Sequence, residues 1–290
     1  MTLRIIIPAR YGSTRFPGKP LALVAGIPLL QRVWALGASV VGKDGVAVTT
    51  DDKRIADFCA RIGAACVMTD PAISNGTERV HAALQQLPKD VDQVINLQGD
   101  AVLTPPWVIR AIMDEIEREH KNHPPLAGGS KSLCDFGEGS TAGIFTPAVR
   151  MTPQTLEALR AAKRAGEVGG TTVTFDKDHN ALYFSKSVIP FTRDAAENPP
   201  VHRHIGLYGY RREALAKLIA LPPGPLEQAE KLEQLRALEN GLKIRIVVVD
   251  YKGRSHIGVD SEADARRAEQ IIAAEGELLP AYDGSGRIPS

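Results

Sequence analysis

The chain opens on a short apolar, β-branched run, Leu3 to Ile7, and comparable runs return at Gly45–Thr50, Ala64–Met68 and Val91–Leu97. Runs of this length and composition suit strands covered on both faces. Between them, apolar residues recur at helical spacing over Leu29–Ala38, Asp52–Ile62, with Gly63 as its stop, and Val80–Leu87. Strands alternating with helices predict parallel pairing through right-handed crossovers. A further helix is expected over 104–120, with Thr104-Pro105-Pro106 as cap and first turn.

Beyond it the pattern loosens. Residues 127–170 are rich in Gly, Ser and Thr, broken by a helical patch at Pro153–Ala165, and are expected to form a surface insertion. Thr171–Phe175 and Ala181–Phe184 predict a hairpin around 176–180, and His204–Tyr210 alternates like a strand. Helices follow at Arg212–Ala220 and Pro225–Asn240, then a strand at Lys243–Tyr251 and a closing helix at Glu262–Glu275. The pattern predicts an α/β fold with a Rossmann-like, mostly parallel sheet and a smaller antiparallel lobe over about 127–211. Residues 1–275 are expected to form one domain and 276–290 a loose tail. No internal repeat is evident, and the lobe is a natural dimerisation surface.

Composition narrows the function classes. With 290 residues and a net charge of +1, the chain has room for a full core but no overall basic field, which argues against nucleic acid as partner. Its three cysteines, Cys59, Cys66 and Cys134, lack metal-ligand spacing and predict reduced thiols. No run approaches 18 apolar residues and no charged leader precedes the first strand. A cytoplasmic protein with no membrane partner is expected.

The chemistry concentrates after the first strand. Pro8-Ala9-Arg10-Tyr11-Gly12-Ser13-Thr14-Arg15-Phe16-Pro17-Gly18-Lys19-Pro20 sets glycines and prolines around three cations. The loop is stiff yet open to an anion, and it follows a strand end, where open α/β sheets place ligands. Phosphate is the first expectation, a turn that is merely basic the alternative. Neither the dinucleotide fingerprint nor the Walker loop is present, since Lys19 precedes Pro20. Two carboxylates at separate strand ends, Asp100 after Gln98-Gly99 and Asp260 after Gly258-Val259, can hold Mg²⁺; the alternative for each is a helix cap. The loop resembles those of nucleotidyltransferases, and that resemblance implies a bound triphosphate of about four negative charges and in-line attack by an acceptor hydroxyl on its α-phosphorus. Arg10 and Lys19 then neutralise the departing pyrophosphate, and no covalent intermediate is needed.

The loop resembles the nucleotidyltransferases that open on Pro-Ala-Arg, a Gly-Ser-Thr-Arg turn and Pro-Gly-Lys-Pro, and most of all the 3-deoxy-manno-octulosonate (Kdo) cytidylyltransferases, or CMP-Kdo synthetases. Ordered matches continue through Gly76-Thr77-Glu78-Arg79, Gln98-Gly99-Asp100, Leu182–Ser185 with Ile189-Pro190, and Arg203-His204 with Tyr208–Arg211. Pro225–Glu227, Glu230, Leu232–Arg236 and Gly258–Asp260 complete them. The resemblance implies a fold of the nucleotide-diphospho-sugar transferase type. It also implies a cytoplasmic, homodimeric enzyme of lipopolysaccharide biosynthesis that couples CTP to an acidic sugar with Mg²⁺ as cofactor.

By this resemblance Arg10, Lys19, Asp100 and Asp260 are catalytic, the two aspartates ligating the metal. Pro8, Ala9, Arg10, Gly12, Ser13, Arg15, Lys19, Thr50, Asn75, Gly76 and Gln98 would contact the nucleotide. Lys186, His204, Tyr208, Glu227, Glu230 and Gln234 would face the sugar acid. From the residues alone, His204 is equally a core histidine, and Glu227, Glu230 and Gln234 the wet face of a helix.

Departures from the family pattern are informative. Ala101-Val102 stand where the family has Glu-Pro, and Asp70 and Asn75 where it has Arg and Ser. Gly170–Thr174 replaces a run that carries a substrate-facing Lys, Lys186 an Arg, and Phe191 a Trp. These changes cluster on the acceptor half. They open the acceptor to an amino-sugar variant of Kdo, another ulosonic acid or a phosphonate, and leave a weakened nucleotide-binding homologue as an alternative.

Overall fold

In the computed structural model, which describes residues 2–12, 15–122, 141–193 and 199–279, the isoleucine run becomes a strand at the heart of a parallel sheet. Ser13, Cys134, residues 127–140 of the expected insertion and residues 280–290 of the expected tail lie outside the described residues. The chain divides into two units, Met1–Arg110 with Tyr251–Ser290, and Ala111–Asp250.

The first unit contains β1 (Thr2–Pro8), the short pair β2 (Leu23–Val24) and β3 (Ile27–Pro28), and α1 (Leu29–Val41). It continues through β4 (Val46–Thr50), α2 (Lys53–Ile62), β5 (Ala65–Met68), α3 (Gly76–Gln86) and β6 (Val91–Asn96). The strands lie in the order β5-β4-β1-β6, all parallel. Ile5, Ile6 and Ile7 are fully buried, and α1 and α3 both pack against β1. Each such side chain contributes up to about 1.5–3 kcal/mol of burial energy, so the least polar run of the sequence anchors the sheet.

Local signals fix the helix ends. Asp52 caps α2 by accepting from Arg54 N at 2.9 Å, and Gly63 closes it at φ +71°. Asn75 caps α3 by accepting from Glu78 N at 2.8 Å. That helix therefore begins at Gly76 rather than at Val80, and the Gly-Thr-Glu-Arg stretch is its first turn. The helix Glu262–Glu275 opens on a capping box between Ser261 and Asp264.

From the first unit α4 (Pro106–Asn122) carries the chain onward. The second unit holds β7 (Ile144–Arg150), α5 (Pro153–Arg164), β8 (Thr172–Phe175), β9 (Ala181–Ser185), β10 (His202–His204) and β11 (Tyr208–Arg211). It closes with α6 (Arg212–Ala220), α7 (Pro225–Glu230), α8 (Gln234–Glu239) and β12 (Ile244–Val248). β10 and β11 both pair antiparallel with β7, β12 pairs parallel on it, and β8 joins β10 to β9 in antiparallel ladders.

Three expectations change here. Residues 144–150 are no surface insertion: Ile144–Ala148 are buried in β7, the strand on which the unit is built. Pro147 lies in that strand opposite the break between β10 and β11, where its lack of an N–H interrupts no regular ladder, and its carbonyl accepts from Ile205 N at 3.0 Å. The expected strand His204–Tyr210 breaks into β10 and β11, because Leu207 N turns back onto Ile205 O at 2.8 Å and shifts the register on β7. The expected helix Pro225–Asn240 breaks at Lys231, whose backbone is left-handed at φ +53°. No helix among the described residues is long and apolar enough to cross a membrane.

Candidate active site

The cationic loop closes over the carboxyl ends of β1 and β6. Gly99 is what lets the two ends meet, since a Cβ there would stand 2.6 Å from the Pro8 carbonyl oxygen. Asp100 follows directly, and its carbonyl accepts from Val259 N at 3.2 Å, so the backbone itself ties Asp100 to the segment that carries Asp260. Lys19 lies between the two carboxylates, with Nζ 3.1 Å from Asp260 Oδ1 and 3.6 Å from Asp100 Oδ2. Arg15 reaches the other oxygen of Asp260 at 3.2 Å.

The helix-cap alternative for Asp260 fails, because Ser261 takes that role and the Asp260 carboxylate turns to Lys19 and Arg15 instead. Asp100 likewise caps nothing, as α4 starts six residues later. Burial pushes the Asp100 carboxyl up, Lys19 pulls it down, and the Asp260 charge pushes it up again; the net direction is upward.

Arg10, Arg15, Lys19 and Asp100 line an open cleft of about 400 Å³ together with Pro8, Ala9, Gly12, Gly76, Arg79, Gln98 and Gly99. Arg10 donates to Ser74 O at 2.7 Å, and Gln98 Nε2 donates to Asn96 Oδ1 at 3.1 Å. Two residues expected at the nucleotide also do local structural work. Thr50 Oγ1 accepts from Asp52 N at 3.2 Å, and Asn75 Oδ1 caps α3.

Arg79, noted in the sequence only as part of the Gly-Thr-Glu-Arg motif, was given no role there. Fully buried, it bonds Thr69 Oγ1 at 2.7 Å and Ile73 O at 2.9 Å, with Asp51 3.5 Å away. It pins the segment before α3 from below the cleft. Burial lowers its pKa first, Asp51 opposes that, and the nearby Arg10 adds to the lowering. A charged residue one helical turn before the apolar Ala83 was the available signal.

In the second unit, the residues expected to face the acceptor gather around β9, β10 and α7. His204 Nε2 lies 2.9 Å from Thr146 Oγ1, whose single proton goes to the carbonyls of Leu207 at 2.8 Å and Ile205 at 3.2 Å. Thr146 therefore accepts from His204, which fixes the Nε2–H tautomer. The His204 ring meets Phe184 edge-on at 5.1 Å and Tyr208 at 5.5 Å. Burial and then Glu233 raise the Tyr208 hydroxyl well above its ordinary pKa, so it stays a neutral donor.

The wet-face alternative for α7 and α8 is also overturned. Glu227 makes a two-pronged pair with Arg236 at 2.7 and 2.6 Å, while Glu230 accepts from Ser185 Oγ at 2.7 Å and from Lys186 N at 2.8 Å. Gln234 is buried. The break at Lys231 is what turns Glu230 toward β9. A further cation, Lys163 of α5, donates to Gly169 O at 2.5 Å; burial lowers its pKa first, with Lys186 and Arg203 adding to that and Glu230 opposing it. It supplies a lysine in the half of the chain that lacks the one expected near Gly170–Thr174.

Two hard oxygen donors meeting at one cation fit a divalent ion such as Mg²⁺, which takes one or two protein carboxylates and fills its remaining positions with phosphate and water. Among the described residues no group of three or more His, Cys, Asp or Glu gathers as an all-protein metal cage.

A family model described as Cytidylyltransferase matches residues 4–244. The chain is 50% identical over 279 residues to a 3-deoxy-manno-octulosonate cytidylyltransferase of Maricaulis maris (strain MCS10), covering 96% of this chain and 100% of that protein. It is 39% identical over 276 residues to an 8-amino-3,8-dideoxy-manno-octulosonate cytidylyltransferase of Shewanella sp. (strain ANA-3), covering 95% of this chain and 100% of that one. Among solved structures, CMP:2-keto-3-deoxy-manno-octonic acid synthetase complexed with CTP superposes with a TM-score of 0.77 at 31% identity, over 95% of this chain and 100% of that one.

Proposed function

The chain belongs to the cytidylyltransferase family that includes the Kdo enzymes, and from that premise we propose that it couples CTP to Kdo, with Mg²⁺, giving CMP-Kdo and pyrophosphate. The observation that carries the reading is the meeting of Lys19 with both Asp100 and Asp260 at the mouth of the cationic loop.

Arg10, Arg15 and Lys19 bind the triphosphate, and the amides of the loop after β1 approach it. Gln98, at the end of β6, lies by the cytosine. Asp100 and Asp260 would hold the divalent ion, which when bound supplies charge neutralisation at the α-phosphate. The acceptor hydroxyl oxygen bonds to the α-phosphorus as the bond to the β-phosphate oxygen breaks, and the hydroxyl proton is released. Arg10 and Lys19 carry the charge that builds on the leaving pyrophosphate. His204, Tyr208 and Lys186 bind the sugar acid, with Glu230 holding Lys186 in place.

A second acceptor is favoured by the acceptor-side changes at Lys186 and Gly170–Thr174 together with the similarity to the 8-amino-Kdo enzyme. Pyrophosphate release from CTP and Mg²⁺ with Kdo, 8-amino-Kdo and other ulosonic acids in turn distinguishes the two. Turnover with Kdo supports the reading. Turnover with only another acid moves it to that acid, and CTP binding without turnover on any acid overturns it.

A further inference from the structure

We propose that Tyr11 and Arg54 form a latch that holds the triphosphate loop in its binding shape, with Arg54 as a positioning residue for Arg10 and Lys19. The loop would otherwise be poorly placed to hold itself. Three cations, Arg10, Arg15 and Lys19, share a short segment, and like charges in one segment repel.

Asp260 and Asp100 offset Arg15 and Lys19 from outside the segment, and a backbone hydrogen bond ties its ends from within. The carbonyl of Tyr11 accepts from Gly18 N at 3.0 Å, which closes the segment into a ring whose two ends are adjacent. Arg10 immediately precedes the ring and Lys19 immediately follows it, so its closure sets the spacing of the two cations assigned to the pyrophosphate. Gly18 has φ +71°, and a Cβ there would lie 3.2 Å from the Tyr11 hydroxyl and 3.3 Å from its ring carbon Cζ. The Tyr11 ring therefore packs directly on the bare Gly18 backbone.

Arg54 covers the same ring, its guanidinium carbon 3.4 Å from the ring centroid. A planar cation at that distance is held by the electron-rich face of the ring. The guanidinium cannot drift, because Asp52 grips it with both oxygens, Oδ1 to Nε at 2.9 Å and Oδ2 to Nη2 at 2.6 Å. Asp52 is in turn fixed as the cap of α2. The hydrogen bonds from Arg54 hold the Asp52 carboxyl below its ordinary pKa, so the clamp stays charged at neutral pH. The chain of contact runs from the α2 N-terminus through Asp52, Arg54 and Tyr11 to Gly18, and none of these four groups is needed to touch the nucleotide.

An exposed ion pair between Arg54 and Asp52 has little stability value by itself, which makes the stacked geometry the informative part. Lysine cannot reproduce it, having neither the plane nor the fork.

The proposal rests on the loop being the triphosphate site, and its test separates the two. CTP binding by calorimetry and hydrogen exchange at the Gly18 amide are measured on the full chain for wild type, Arg54→Ala, Arg54→Lys, Tyr11→Leu, Tyr11→Phe and the double variant Arg54→Ala/Tyr11→Leu. Arg54→Ala and Tyr11→Leu should each weaken CTP binding roughly three- to thirtyfold and speed Gly18 exchange. Tyr11→Phe keeps the ring face but loses the hydroxyl nearest Gly18, so it should fall between wild type and Tyr11→Leu, and Arg54→Lys should not rescue. The double variant should be no worse than the poorer single. Unchanged Gly18 exchange in Arg54→Ala, or losses that add in the double variant, would overturn the latch. Failure of the wild type to bind CTP would overturn the assigned function instead, while Gly18 exchange still decides the latch.

Discussion

Lys19 Nζ stands 3.1 Å from Oδ1 of Asp260, across 241 positions of sequence. The contact joins the first loop of the chain to the start of its last helix, and Asp100, 3.6 Å from the same ammonium, and Arg15, 3.2 Å from Asp260, make it a four-charge cluster. Without Lys19, Asp100 would lose its cation and Asp260 would keep only the exposed Arg15. The lysine thus serves the ligand-free protein as well as the bound triphosphate.

Replacing Lys19 by Met should lower kcat/KM about 10²- to 10³-fold, the usual loss when one charge-stabilising donor is removed from a transition state. Pyrophosphate release measures it. The same variant should be less stable at neutral pH than at mildly acidic pH, because Asp100 loses the group that pulls its pKa down. Thermal melting against pH reads that.

Asp100→Asn separates function from stability. In the folded protein the Asp100 carboxyl is raised above its ordinary value of 3.8, so the native state holds the proton more tightly than the unfolded chain. Its contribution to stability is therefore fully present below the unfolded value and is lost as pH rises through the folded one. At pH 7 the charged group is a burden, and Asp100→Asn should melt higher than wild type while losing CTP turnover. The gap should close as pH falls through the folded pKa. A variant that melts lower at pH 7 would contradict the upward shift.

Gly99→Ala should cost about 1–3 kcal/mol, because the new methyl meets backbone rather than a side chain that can swing away. The displacement falls on Asp100, so activity should fall further than stability. Denaturant melts and turnover on the same preparation compare the two losses.

Glu230→Gln should raise KM for the sugar acid about tenfold without changing CTP affinity. It weakens the charged acceptor that fixes Ser185 Oγ and Lys186 N, and hydrogen bonds to charged groups contribute about 1.5–3 kcal/mol each. Steady-state kinetics with each substrate varied in turn provides the split.

The alternating runs of the first hundred residues were legible because each strand is nearly pure apolar sequence and each helix carries its own caps, as Asp52 and Gly63 show. The parallel sheet followed directly. The second unit was harder for reasons that particular residues explain. β7 carries Pro147 and Thr146 within a Gly- and Thr-rich surround, so a buried strand looked like a loop. The alternation through His204–Tyr210 gave no sign of the turn at Ile205–Leu207, which depends on a threonine hydroxyl some sixty residues away.

Site chemistry divided in the same way. Arg10 and Asp100 declared themselves by following strand ends and Lys19 by its Pro-Gly-Lys-Pro setting, whereas the work of Glu230 depends on the left-handed backbone at Lys231, which no periodicity marks. Asp260 had two plausible roles in sequence. Only the capping box at Ser261 and Asp264 shows that its carboxylate is turned elsewhere. Asn75 carries a structural role that the motif did not announce, as the cap of α3.

The account is tested most directly by a crystal structure of the protein with CTP and Mn²⁺, with the metal located by its anomalous scattering. The predicted result is a single strong peak within coordination distance of both Asp100 and Asp260, beside an α-phosphate whose outer phosphates contact Arg10 and Lys19. A peak bound by neither aspartate, or a triphosphate lying away from Lys19, would contradict it.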